Sequence, residues 1–336
     1  MKRVLLAGTL LLGSALRLNA GVGIEAAPFL KIDAGARAAA LGGAYTALGD
    51  DAAAIFYNPA GAGLLARKEL LVSHNAWIAD LRNEHAAYVQ PENSGLAFFL
   101  GLDLLLTPDM DKYDLAGGRD GSFSAGEGAL SAGAAWALKK DLYGAIAVKD
   151  VWQRADNRSA SAYALDLGLV RDYGKLRFGA SAQNLGTKMK LYKQSSSLPA
   201  TYRGGAAYKL ADKFWVSADV LKAGESAAAV AAGTEIGLAI TRGNSIFGRV
   251  GYRSGRTGDT GAGISSGLGL SLRGGDLRFD YSFSPYGGLG AGQRLTLSFR
   301  FGEAIKDAGD KAAAREQLKE KAAPPPEEET GSYSRW

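Results

Sequence analysis

The chain has no cysteine and only two histidines in 336 residues. Without cysteine there is no lipid-anchored N-terminal thiol, no disulfide scaffold, no thiol nucleophile and no cysteine-ligated zinc. The longest uncharged apolar run, 4–12, is far shorter than the roughly 20 residues that a membrane-crossing helix needs, so helical spans are excluded. Charge of one sign is also scarce. The formal net charge is only +5, and the basic residues are scattered through the chain, which argues against a nucleic-acid partner and suits contact with acidic lipid head groups. The two histidines, His74 and His85, fall in adjacent expected strands about where a first hairpin would pair them, but no third metal ligand accompanies them. Serine, histidine and aspartate occur without a Gly-x-Ser-x-Gly turn, and the glycine cluster at 261–269 lacks a Walker lysine. The expectation is a protein that is not an enzyme and holds neither metal nor cofactor.

What is present points to export. Lys2 and Arg3 precede the apolar run, and small residues follow near Asn19 and Ala20, the order of a secretory signal peptide over residues 1–20. Glycine is abundant, at 46 residues, with a good supply of tyrosine and phenylalanine. From residue 69 the sequence breaks into segments of about ten residues with apolar side chains at every second position, the period of a strand. Leu277, Phe279 and Tyr281 alternate with Asp276, Arg278 and Asp280; Leu295, Leu297, Phe299 and Phe301 alternate with Arg294, Thr296, Ser298 and Arg300. Strands are expected at 69–78, 83–91, 94–104, 121–138, 142–152, 159–171, 175–184, 200–210, 213–222, 226–240, 244–254, 260–274, 275–283 and 291–302. The even-numbered links between them are tight and the odd-numbered ones mostly long, notably 105–120 and 185–199. Short turns at one end and longer loops at the other describe an outer-membrane barrel with periplasmic turns, whereas a β-propeller or a double sandwich predicts no such asymmetry. The fold class expected is therefore all-β: a transmembrane antiparallel barrel of about fourteen strands over 69–302, with the N- and C-terminal segments on the periplasmic side.

Residues 21–68 break the pattern. The stretch 29–65 is rich in alanine and glycine and lacks period two. Residues 36–48 suit a short helix interrupted by Gly42 and Gly43; Asp50 and Asp51 suit the cap of a second one at 52–57, which Asn58 ends because the residue before Pro59 is disfavoured in helical conformation. Small residues permit close backbone packing, and a compact segment at this place suits a plug folded into the lumen. Arg37 is expected to pair with Asp50 or Asp51. The series Gly35, Arg37, Ala38, Leu41-Gly42-Gly43-Ala44, Ala47, Asp50-Asp51 and Phe56-Tyr57-Asn58-Pro59-Ala60-Gly61 resembles the opening of PorV/PorQ family outer-membrane proteins. The Asn-Pro-Ala-Gly block is also similar to that of FadL, the long-chain fatty-acid transporter. The resemblance implies a FadL-like barrel with its N-terminal segment inside.

Two functions follow from it. PorV-type proteins act with the type IX secretion system, which implies binding or shuttling of exported proteins, with secreted cargo and secretion-machinery components as partners besides outer-membrane lipids. FadL-type proteins are uptake channels for hydrophobic small molecules. The loop 105–120 is acidic after Leu106, through Asp109, Asp111, Asp114 and Asp120, and 185–199 carries lysines and serines; neither offers a broad apolar patch, which favours the protein-binding reading. Phe301 suits the terminal aromatic of a last strand. The remainder, 303–336, reads as a helix-prone stretch followed by Pro324-Pro325-Pro326 and Glu327 to Glu329, an appendage of unassigned partner.

Overall fold

A computed structural model describes residues 25–256 and 260–305. The expected signal peptide and nearly all of the expected tail lie outside them. Fourteen strands close into one antiparallel barrel: β1 (Lys68–Ala76), β2 (Arg82–Pro91), β3 (Leu96–Leu106), β4 (Ala125–Lys139), β5 (Leu142–Ala155), β6 (Arg158–Asp172), β7 (Leu176–Gly186), β8 (Thr201–Ala211), β9 (Phe214–Ala223), β10 (Ala229–Thr241), β11 (Asn244–Arg253), β12 (Ile264–Leu272), β13 (Leu277–Pro285) and β14 (Ala291–Phe301). Each strand pairs with its chain neighbours, and β1 closes on β14 from Lys68↔Phe301 to Ala76↔Gln293. Closure leaves no free sheet edge, which a hydrocarbon solvent requires, because unpaired backbone groups there find no water.

Period two sets what each wall sees. Leu70 and Val72 face outward and are exposed, while Leu71, Ser73 and Asn75 on the alternate positions are buried. The outward set continues around the barrel through Phe98, Leu100, Ile146, Val148, Leu169, Val220, Ile236, Val250, Leu268, Leu295 and Phe299. The inward set is polar and charged: Glu69, Asp103, Asp166, Asp219, Glu235, Arg249, Asp280 and Arg294 are all buried. Apolar outside and charged inside inverts a soluble protein and defines a membrane barrel.

The link at 105–120 carries a β-ribbon, Met110–Tyr113 against Arg119–Phe123, and the one at 185–199 a smaller ribbon, Lys188–Met189 against Ser196–Ser197. Three tight turns, β4–β5, β8–β9 and β10–β11, are each preceded by a register shift, at Ala137/Lys139, Lys209/Ala211 and Ala239/Thr241. The fifth link departs from expectation. β5 and β6 stay paired to Ala155↔Arg158, leaving only 156–157, with Asp156 at φ 53 in the left-handed region that aspartate tolerates.

The segment 25–67 fills the lumen. Its helix is shorter than expected: α1 is Ala36–Ala40 alone, followed by turns and by 3₁₀ helices at Ala52–Phe56 and Pro59–Leu64. The reason lies at Gly42 and Gly43, whose φ values of 68 and 80 no continuing helix can hold. Gly42 also runs against β11 so closely that a Cβ would sit 2.6 Å from the Tyr252 carbonyl oxygen. A second difference concerns direction. The described chain does not begin at the short-turn end, where the sequence placed its N-terminal segment. Ala26 N–H donates to the Ser197 carbonyl (3.0 Å) in a long loop, and the chain descends through the lumen until Arg67 meets Asp276 at the short-turn end. Residues 302–305 leave from that same end, Ile305 N–H donating to the Ala66 carbonyl (2.7 Å).

Candidate functional site

The plug is pinned to the wall at three levels. The middle level centres on Arg37, which α1 aims across the lumen at β10. Its Nε and Nη2 donate to the two carboxylate oxygens of Glu235, both at 2.8 Å, while Nη1 reaches Asp50 (2.6 Å) and Asp51 (3.1 Å). Glu235 is shared with Arg249 (2.6 Å), which contacts Asp280 (2.8 Å), itself held by Arg278 (3.0 Å). Tyr45 OH closes the ring by donating to Asp51 (2.6 Å). Burial, with the negative charge of Asp51 and the hydrogen bond donated to it, pushes the Tyr45 phenol well above its usual range. A planar guanidinium gripping a carboxylate with two parallel bonds fixes orientation as well as charge.

The expected partner pair was an alternative, Asp50 or Asp51; both contact Arg37. Asp51 also caps the following 3₁₀ helix, its Oδ1 accepting from Ala53 N–H (3.1 Å). Gly35 precedes α1 at φ 73. The Asn58 block lies elsewhere, against β6. Asn58 Nδ2 donates to the carbonyls of Thr46 and Leu169, each at 2.9 Å, its Oδ1 accepts from Ala60 N–H (3.2 Å), and Pro59 opens the turn. A Cβ at Gly168 of β6 would meet Asn58 Oδ1 at 2.3 Å, and one at Gly61 would meet Ala54 and the Gly49 carbonyl at 2.7 Å. These motif positions are packing positions: glycine and a short amide let plug and wall backbones touch.

Towards the short turns, Arg177 contacts Asp50 (3.2 Å) and Asp172 (2.8 Å), and Arg300 contacts Glu69 (2.7 Å). They border a cavity of about 420 Å³ with Arg67, Lys213 and Phe247. Towards the long loops, Arg253 contacts Asp33 (2.9 Å) and Arg294 Nε donates to the Asp33 carbonyl (3.2 Å). Beside this polar cluster lies an apolar one. Ala26, Ala27 and Phe29 are buried against Ala129, Val151, Ala162, Ala164, Met189 and Leu198, with Leu30, Ile32 and Leu105 packed around them. The apolar surface that the loop sequences did not advertise is inside, built from the N-terminal segment, three strands and two loop residues.

The two histidines are not brought together. His74 pairs with Glu84 and faces outward, whereas His85 stands opposite Ser73 and faces the lumen, so the hairpin register puts them on opposite sides of the wall. Among the described residues no group of three histidine, aspartate or glutamate side chains is arranged to hold a metal ion.

The profile of uncharacterised protein family UPF0164 matches residues 19–102, a stretch that holds the plug, β1, β2 and part of β3. No curated protein matches the sequence. Among solved structures, the chain is similar to the Pseudomonas putida toluene transporter TodX (TM-score 0.56, 12% identity, 80% of this chain and 97% of that one). It is similar also to the CymD monoaromatic hydrocarbon channel (0.52, 11%, 82% and 98%) and to a Pseudomonas aeruginosa FadL homologue (0.51, 12%, 78% and 96%). At such identities the likeness is one of fold: this barrel has the architecture of FadL-type outer-membrane channels.

Proposed function

We propose that the protein is an outer-membrane channel that admits apolar small molecules into its lumen from the long-loop side, with the N-terminal segment as its gate. The observation that carries this reading is the apolar chamber around Phe29, Val151, Met189 and Leu198. It lies at the long-loop end of the lumen, apart from the larger apolar cluster around Leu41, Tyr45 and Tyr57, and it is filled by the N-terminal segment. Binding sites for apolar molecules are mostly apolar with a few polar groups near by, and the mutually bonded Lys149, Asp166 and Asn184 stand close in the chain to Val151 and Ala164 of this cluster. The shared fold with a toluene transporter and a hydrocarbon channel supports the same reading. Short turns in the periplasm and ribbons outside follow from it. Its test is the binding of an environment-sensitive apolar dye to the detergent-purified protein: displacement by toluene or decane in the native protein, lost in Val151→Asp, supports the chamber, and dye binding unaffected by that substitution contradicts it.

A second reading, the shuttling of exported proteins that the PorV/PorQ resemblance implies, is supported by the ribbon Met110–Tyr113/Arg119–Phe123, which presents fully exposed Leu115 at its tip and exposed Tyr113 beside it. Crosslinking in intact cells through residue 115 tests it: secreted proteins in the adduct favour shuttling, and their absence favours the channel.

A further inference from the structure

Four guanidinium groups surround Asp33 in the long-loop half of the lumen: Arg203 on β8, Arg253 on β11, Arg294 on β14 and Arg256 just beyond β11. Asp219, within electrostatic reach of Arg203, is the other carboxylate there among the described residues, and its Oδ2 is engaged by Tyr45 N–H (3.0 Å), Thr46 N–H (2.9 Å) and the Thr46 hydroxyl. Among the described residues, four cations against two anions leave an excess of positive charge that arginine cannot shed by deprotonation. Buried charge without a partner costs several kcal/mol, so such a cluster is sustained when an anion completes it.

The hydrogen-bond inventory locates the excess. Arg294 is 1% exposed; its Nε is used, but Nη1 and Nη2 have no protein partner among the described residues. The same holds for Nε and Nη1 of Arg203, whose guanidinium stacks on Tyr57 at 5.1 Å. Arg294 stands opposite Asn75 on β1 and Ser282 on β13, and both neighbours are fully buried with unpartnered side chains. Guanidinium, amide and hydroxyl donors on three adjacent strands thus face one another, a donor set suited to an oxygen-rich anion. Asp33 adds discrimination. Its Oδ2 is taken by Arg253, but its buried Oδ1 has no partner, and it can accept a hydrogen bond only from a ligand oxygen that carries a proton. Hydrogen phosphate has such a proton near neutral pH, and a phosphate monoester has one in its monoanionic form; sulfate does not.

We propose that Arg203, Arg253, Arg294 and Asp33, with Asn75 and Ser282, form a buried binding site for a protonated phosphoryl oxoanion. This goes beyond the channel reading and does not depend on it, since an anion can lock the plug whatever the lumen passes. Arg256, stacked on Tyr286 at 4.1 Å beside the long loops, marks the side of entry.

The test is thermal unfolding of the full-length protein in neutral detergent at pH 7, with inorganic phosphate or sulfate at constant ionic strength. Phosphate is expected to raise the unfolding temperature in a saturable way and sulfate much less. Arg203→Gln is expected to weaken the phosphate effect by about tenfold or more in concentration. Asp33→Asn, which replaces an acceptor by a group that also donates, is expected to let sulfate act like phosphate. It remains informative if Arg203→Gln fails to fold. Competition by 1-oleoyl lysophosphatidate at far lower concentration would identify a lipid headgroup as the natural source, and no competition would identify the free ion. Equal effects of phosphate and sulfate on the native protein, or a phosphate effect unchanged in Arg203→Gln, would overturn the proposal.

Discussion

Arg37 of the plug and Glu235 of β10 grip each other through two parallel hydrogen bonds of 2.8 Å across 198 residues of sequence, both side chains almost wholly buried. Asp50, Asp51, Arg249 and Arg278 meet that pair directly, so it is the bolt between plug and wall. Removing one partner of a buried pair costs about 3–5 kcal/mol; here Arg249, 2.6 Å from Glu235, still compensates part of the carboxylate when Arg37 is gone, so the loss falls at or below the low end of that range. Arg37→Ala is therefore expected to lower the unfolding temperature markedly, while Arg37→Lys, which keeps the charge but not the fork, should fall between. Thermal unfolding in detergent, read by the gel-mobility shift of folded barrels, measures this; an Arg37→Ala protein as stable as the native one would be incompatible with the bolt.

Gly42 supplies a steric test. Its φ of 68 and the Tyr252 backbone beside it leave no room for a methyl group, whereas Gly204 on β8 has open space at the same position. Gly42→Ala is expected to cost more than about 1 kcal/mol and to make the plug accessible to protease, and Gly204→Ala to do neither. Limited proteolysis of the two variants side by side decides it.

Acid should loosen the plug through Asp50. Burial pushes its carboxyl upward, but Arg37, Arg177 and Arg300 outweigh burial and hold it well below the usual carboxylate range. A folded-state value below the unfolded one contributes stability that is present above the unfolded value, about 3.9, and is lost as pH falls towards the folded one. The stability difference between native protein and Asp50→Asn should be constant at neutral pH and shrink below about pH 4. A difference that grows on acidification would assign the coupling to another group.

Much of this was legible in the sequence, and particular residues show where legibility stops. The alternation of Leu277, Phe279 and Tyr281 with Asp276, Arg278 and Asp280 gave the strand, its facing and the charged lumen, because side-chain period is a local property of the chain. Gly35, Arg37, Gly42, Gly43, Asp50, Asp51, Asn58, Pro59, Ala60 and Gly61 stood out through their resemblance to the PorV/PorQ opening, which one short segment carries. Glu235, Arg249 and Arg294 did not, since nothing local distinguishes an inward arginine that meets a plug from one that meets water. The histidines illustrate register. Proximity in a hairpin suggested a pair, yet Ser73, not His74, stands opposite His85. The apolar chamber escaped because its members come from positions as far apart as Phe29, Val151 and Leu198.

Sidedness is testable in cells. A protease site placed at 115–118, in the ribbon loop, should be cut in intact cells, and one at 173–175, in a tight turn, only after the outer membrane is permeabilised. The opposite pattern would invert the barrel and remove the long-loop route of entry.

The central claim is passage of apolar molecules gated by the N-terminal segment, and uptake of labelled toluene by cells expressing the protein at low external concentration tests it most directly. Uptake above that of cells with an empty vector, raised further by Phe29→Ser, which weakens the segment's hold in the chamber, is the predicted result. Uptake equal to that of the empty-vector cells for both proteins, with both shown to be folded in the outer membrane, would contradict the account.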